Sequence, residues 1–187
     1  MFRSTFLRRA PGLAALVALA ALLAPAGAQA AGCPNANLKP TRANSEVVRT
    51  ALLCLHNAER ARRDLPLLRA NSRLRRAAER HAEHMVGARF FDHTTPGGST
   101  MVDRIRRTGY TSGARGWSIG ENIAWGSGRL STAAQIHRSW MNSPGHRANI
   151  LQRSFREIGI GIEAGVPVRL SASTSGGTYT TDFGVRR

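Results

Sequence analysis

Two histidines and one glutamate carry the chemistry that the sequence offers most openly. His93 lies in Phe90-Phe91-Asp92-His93-Thr94, and His146 lies in Asn142-Ser143-Pro144-Gly145-His146-Arg147-Ala148-Asn149. Between them Glu121 sits in Gly120-Glu121-Asn122-Ile123-Ala124. A carboxylate embedded among apolar residues is costly unless it is paired or hydrogen-bonded, so Glu121 calls for a partner. Two imidazoles and a carboxylate from three segments suit zinc or another divalent cation, or acid–base work. The same residue types also serve as hydrogen-bonders that brace loops. The other histidines, His56, His81, His84 and His137, fall inside predicted helices, where a packed or surface imidazole is ordinary. His81 and His84 are adjacent on one helix, yet no H-E-x-x-H supplies the general base of a zinc protease.

Gly116-Trp117-Ser118-Ile119-Gly120 fits the G-x-S-x-G pattern of a nucleophile elbow. That motif needs a strand before it and a helix after it. Here the flanking residues read as glycine-rich loop. No histidine follows any aspartate that lies after Ser118, so the order Ser, Asp, His cannot be assembled. A hydrolase triad is rejected.

The elements that must position these groups change character along the chain. Ser45 is placed to cap a helix with Val48, Leu52, Leu55 and Ala58 on one face, ending near Arg63 before Pro66. Asn71 or Ser72 caps a second helix, with Leu74, Ala78, His81 and Met85 inward, Arg73, Arg76 and Arg80 outward, and Gly87 at its end. Thr100 and Asp103 form a capping box for a short helix up to Thr108, stopped by Gly109. Residues 109–128 read as glycine-rich with little helical period. A fourth helix, from Ser131 to about Met141, places Ala133, Ile136 and Trp140 on one side. Beyond it the period becomes two: Ile158, Ile160 and Ile162 alternate with Gly159, Gly161 and Glu163, and Thr178–Val185 also reads as strand. Helices first and strands last imply an α+β fold with helices packed on an antiparallel sheet.

Composition places the protein outside the cytoplasm. Arg3, Arg8 and Arg9 precede an apolar run from Leu13 to Ala24, and Ala28-Gln29-Ala30 has the small-residue form of a cleavage site. Residues 1–30 therefore read as a signal peptide cut after Ala30, residues 31–44 as a polar leader and residues 45–187 as one domain. The apolar run is shorter than the roughly 20 residues a membrane span requires, so the chain is not read as transmembrane. A rival reading makes Cys33 the lipidated N-terminus of a lipoprotein. Cys33 and Cys54 are the only cysteines, and in an oxidising compartment they most simply form one disulfide. The formal charge of +16 falls to +13 once the three arginines of residues 1–30 are removed. Such a surface is drawn to anionic wall polymer or lipid headgroups. Nucleic acid is set aside, because aromatic residues are few and not interleaved with the arginine runs.

Taken in order, several segments resemble the CAP superfamily of cysteine-rich secretory, antigen 5 and pathogenesis-related proteins, also called the SCP domain, in its compact bacterial branch. They are His56-Asn57-Ala58-Glu59-Arg60, Phe91-Asp92-His93, Gly120-Glu121-Asn122-Ile123-Ala124, Trp140 through Leu151, Glu157-Ile158-Gly159-Ile160-Gly161 and Tyr179-Thr180-Thr181-Asp182-Phe183-Gly184. The resemblance spans about residues 45–185. It implies a three-layer α-β-α sandwich around a central antiparallel sheet. It also implies a cleft lined by His93, Glu121 and His146, with Ser143 beside them. In some relatives the two histidines hold zinc or another divalent ion, which makes His93 and His146 the implied metal ligands. Animal relatives carry a second glutamate just before the second histidine motif, where this chain has Asn142 and Ser143. The expected function is a secreted, non-catalytic binding domain at the cell envelope, with wall polymer, lipid or sterol as partners. The alternatives are a metal-assisted hydrolase in which Glu121 positions a water, and an adhesion protein acting through its arginines.

Overall fold

The computed structural model describes residues 32–169 and 175–187. The expected signal peptide and its cleavage site lie outside them. Within the described residues the helices are α1 (Ser45–Ala61), α2 (Ser72–Ala88), α3 (Met101–Arg107), α4 (Ala133–Met141) and α5 (Pro144–Leu151). The strands are β1 (Arg69–Ala70), β2 (Trp117–Ser127), β3 (Glu157–Glu163) and β4 (Gly176–Arg186). They form one sheet in the order β1-β3-β4-β2. Strands β3, β4 and β2 are antiparallel, and the two residues of β1 add a parallel edge beside β3.

The alternation in β3 explains the layers. Ile158, Ile160 and Ile162 share a core with Tyr179 and Phe183 of β4, with Val48, Leu52 and Leu55 of α1, and with Ile136 and Trp140 of α4. Successive strand residues point to opposite faces, so Gly159 and Gly161 turn the other way. There α2 lies directly on the sheet. A Cβ built on Gly159 would stand 2.1 Å from the backbone of Leu74 and Arg75, and one on Gly161 would stand 2.3 Å from that of Ala78. The missing side chains are the space the helix occupies. Leu74, Ala77, Ile105 and Tyr110 then tie α3 to α2. The α+β sandwich expected from the sequence is the observed fold.

Local signals hold in part. Asn71 caps α2, accepting from Arg73 N at 2.9 Å and Leu74 N at 3.2 Å. Thr100 and Asp103 form the capping box of α3. Ser45, by contrast, is the first residue of α1 and not its cap; the chain enters from a 3-10 turn at Arg42–Asn44 that Thr41 caps. Gly87 does not end α2, which runs to Ala88 and closes on Arg89 at φ 56°. The larger correction concerns residues 117–127, read as loop and found as an eleven-residue strand paired along its length with β4. Their glycines serve close approach: a Cβ on Gly126 would lie 2.3 Å from the Leu130 carbonyl oxygen. Helix α5 was not anticipated. The expected disulfide links Cys33 to Cys54 with their Cα atoms 5.7 Å apart, pinning the leader to α1 and occupying the thiol that lipidation would need.

Candidate functional site

Glu121 sits in the middle of β2, opposite Asp182 of β4, which in turn faces Gly159 of β3. All three positions point to the α2 side of the sheet. Glu121 is 6% exposed, and both its oxygens are engaged. His93 Nδ1 reaches Oε1 at 2.8 Å, and Arg104 Nη2 donates to Oε2 at 2.6 Å. The same guanidinium donates through Nη1 to the carbonyls of His93, at 2.8 Å, and Ser99, at 3.2 Å. Arg104 thus holds the carboxylate and the loop that presents His93. From α2, His81 Nε2 donates to the Asp92 carbonyl at 3.0 Å, and Thr94 N donates to Asp92 Oδ1 at 2.7 Å. Burial alone would raise the Glu121 carboxyl, but the His93 hydrogen bond and the Arg104 charge outweigh it and hold the pKa below its usual value. The hydrogen bond to Glu121 raises His93 in return, against partial burial.

His146 arrives from the other side of the sheet edge, on the first turn of α5. Asn122 Nδ2 donates to its carbonyl at 2.9 Å. Asn149 Nδ2 donates to the Glu121 carbonyl at 3.2 Å and to Asn122 Oδ1 at 2.9 Å, so two asparagines fasten α5 to β2. Ser143 Oγ lies 2.9 Å from His146 Nδ1, and the imidazole packs near Trp140. Burial and the neighbouring His93 lower the His146 pKa. His93 is thus bonded to Glu121 and Ser143 to His146, and Asn122 and Asn149 fasten the second pair to β2 beside Glu121. Each histidine is oriented through Nδ1, and Nε2 is the nitrogen left without a protein partner among the described residues.

The donor set does not fit a tightly held zinc. Such a site uses three or four protein ligands. Among the described residues no group of three or more His, Cys, Asp or Glu side chains is arranged to hold a metal. The Glu121 oxygens belong to His93 and Arg104, which leaves two imidazole nitrogens.

A family model for the cysteine-rich secretory protein family, CAP, matches residues 53–166. The chain belongs to that family. The uncharacterized protein YkwD of Bacillus subtilis is 35% identical over 112 residues, which cover 59% of this chain and 41% of that protein. An extracellular SCP-domain protein of Bacillus anthracis aligns at TM-score 0.57 and 27% identity, over 80% of this chain and 45% of its own. An outer surface protein of Borrelia burgdorferi shares the fold at TM-score 0.58 and 18% identity, over 81% and 99% of the two chains. The chain thus spans less than half of YkwD and of the Bacillus anthracis protein.

Two residues of this CAP domain's site escaped the sequence reading. Arg104 is one of several arginines on α3, and nothing local marks it as the buried one. Asp182 is the other, an acid among threonines in β4. It is fully buried, and neither of its oxygens has a hydrogen-bond partner. Burial first, and the Glu121 charge second, push its pKa well above the usual carboxylate range. The remaining histidines separate from the site. His56 and His137 bury their rings together, Nδ1 to Nδ1 at 2.9 Å, so one neutral ring donates to the other. His81 is buried, while exposed His84 meets the edge of Phe90. Ser118 lies on regular strand β2, which leaves no elbow.

Proposed function

We propose that this CAP domain is exported and binds its ligand at the cell envelope through the cleft of His93, Glu121, Ser143 and His146, without turning the ligand over. The commitment of both Glu121 oxygens carries this reading. A carboxylate held below its ordinary pKa between His93 and Arg104 is a poor general base. What the cleft offers a ligand is two Nε2 atoms and the Ser143 hydroxyl. Export is supported by the N-terminal segment, by the disulfide and by the extracellular and outer-surface character that the names of its structural neighbours give them. No helix among the described residues is long and apolar enough to cross a membrane.

Wall polymer fragments, lipid and sterol are the ligands to titrate. The His93 and His146 ring resonances should shift with at least one of them, while peptide and ester substrates stay intact. Turnover by the pure protein that disappears in His93→Ala would overturn the reading. Mass spectrometry of the exported protein should find Ala31 at its N-terminus; a lipid on Cys33 would count against free secretion.

A further inference from the structure

A cavity lies between α2 and α3, behind the residues that hold the cleft. Its volume is about 190 Å³, and Arg104 lines it while Glu121 and His93 do not. Water occupies about 30 Å³ per molecule in the liquid, so the space holds several waters or one tetrahedral oxyanion. Its wall combines Ala77, Arg80, His81 and His84 of α2 with Arg104 and Arg107 of α3, and the hydroxyl residues Thr95 and Ser99 come from the loop between them. No acidic residue lines it.

Arginines outside ion pairs occur elsewhere on the protein, but here two of them line one cavity. Arg49, Arg62, Arg63 and Arg75 each pair with a glutamate. Arg80 and Arg107 have no carboxylate within ion-pair distance among the described residues. Arg107 Nη2 donates only to Ser99 Oγ, at 2.5 Å. Asp103, the nearest acid on α3, spends an oxygen on the backbone and hydroxyl of Thr100. Arg104, 6% exposed, has an Nε with no partner, although Glu121 takes its Nη2. Two guanidiniums outside any ion pair and two hydroxyl residues thus line one cavity from three segments. Guanidinium forks match phosphate geometry, and a donor set arriving from several directions suits a tetrahedral anion better than a planar carboxylate.

We propose that this cavity binds a phosphate-class oxyanion, with Arg80 and Arg107 as its charged arms and Thr95 and Ser99 as neutral donors. The site shares Arg104 with the cleft, but Arg80 and Arg107 make no contact with Glu121, so it stands or falls separately from the function proposed above. The anion is inorganic phosphate, a phosphodiester of a wall polymer or a phospholipid headgroup, and the test separates these sources.

The exported protein is titrated by calorimetry at constant ionic strength with inorganic phosphate, with a short glycerol-phosphate oligomer and with vesicles containing phosphatidylglycerol. Arg80→Gln/Arg107→Gln is compared with Arg129→Gln/Arg169→Gln, a pair of exposed arginines that makes the same charge change away from the cavity. One saturable site per chain is expected for at least one probe, weakened about tenfold or more in the first variant and unchanged in the second. The probe bound most tightly identifies the source. Equal weakening in both variants would reduce the effect to the general positive field and overturn the proposal. So would the absence of saturable binding for all three probes, or binding that persists in Arg80→Gln/Arg107→Gln when thermal unfolding shows that variant to be intact.

Discussion

Asp182 is the residue with the most to lose by ionising. Fully buried and facing Glu121, it stays protonated in the fold at pH values where the unfolded chain has released that proton. The native state then binds more protons, so this group's contribution falls as pH rises above the unfolded carboxylate range. Asp182→Asn keeps the shape and removes the ionisable group. It should stabilise the protein at pH 8 by on the order of 1 kcal/mol, with the gain shrinking toward pH 4. Urea unfolding across pH measures this, and an unchanged pH slope would show Asp182 to be ionised. His81 and His137 act in the opposite sense. Burial lowers each to about 4. Against an unfolded value near 6.5, the unfolded state takes up protons first as pH falls. Their stabilisation is present above about pH 6.5 and is lost between there and pH 4, amounting to about 3 kcal/mol each. His137→Gln should flatten part of that acid loss while leaving a polar group to face His56. Glu121 was legible in the sequence because its apolar neighbours made it conspicuous. Asp182 was hidden because Thr178-Tyr179-Thr180-Thr181-Asp182 looks like a strand with one wet face, whereas helices cover both sides.

At the scale of elements, the contact between α2 and β3 is the least forgiving. A methyl on Gly161 meets the backbone of Ala78 and Glu79, which cannot rotate away. Gly161→Ala should cost about 1–3 kcal/mol, and should disturb the Asp92–His93 loop that His81 holds. Gly87→Ala, in the same helix with nothing within 4 Å of the added methyl, should be neutral or stabilising by about 0.5–1 kcal/mol. Thermal unfolding of the two variants checks both. The Ile–Gly alternation that creates this contact was readable, since only a strand needs period two. Strand β2 was not, because Gly116, Gly120 and Gly126 look like loop residues until Asn149, Phe155 and Leu130 are seen pressing on two of them. Helix α5 has eight residues and opens with Pro144-Gly145, too short and too irregular for periodicity to reveal.

For the whole molecule, the order β1-β3-β4-β2 has a consequence for how the protein comes into being. Strand β2, which carries Glu121, pairs among the described residues only with β4, which comes last in sequence of their four strands. While the polypeptide is being synthesised or threaded through an export channel, β2 emerges with its ladder of amide and carbonyl groups unmatched. It waits for more than forty-five further residues before Gly176 appears. During that interval nothing can set the Glu121 carboxylate against its cross-strand neighbour. The domain therefore closes its sheet only once β4 has been delivered, and until then the Glu121 strand stays open.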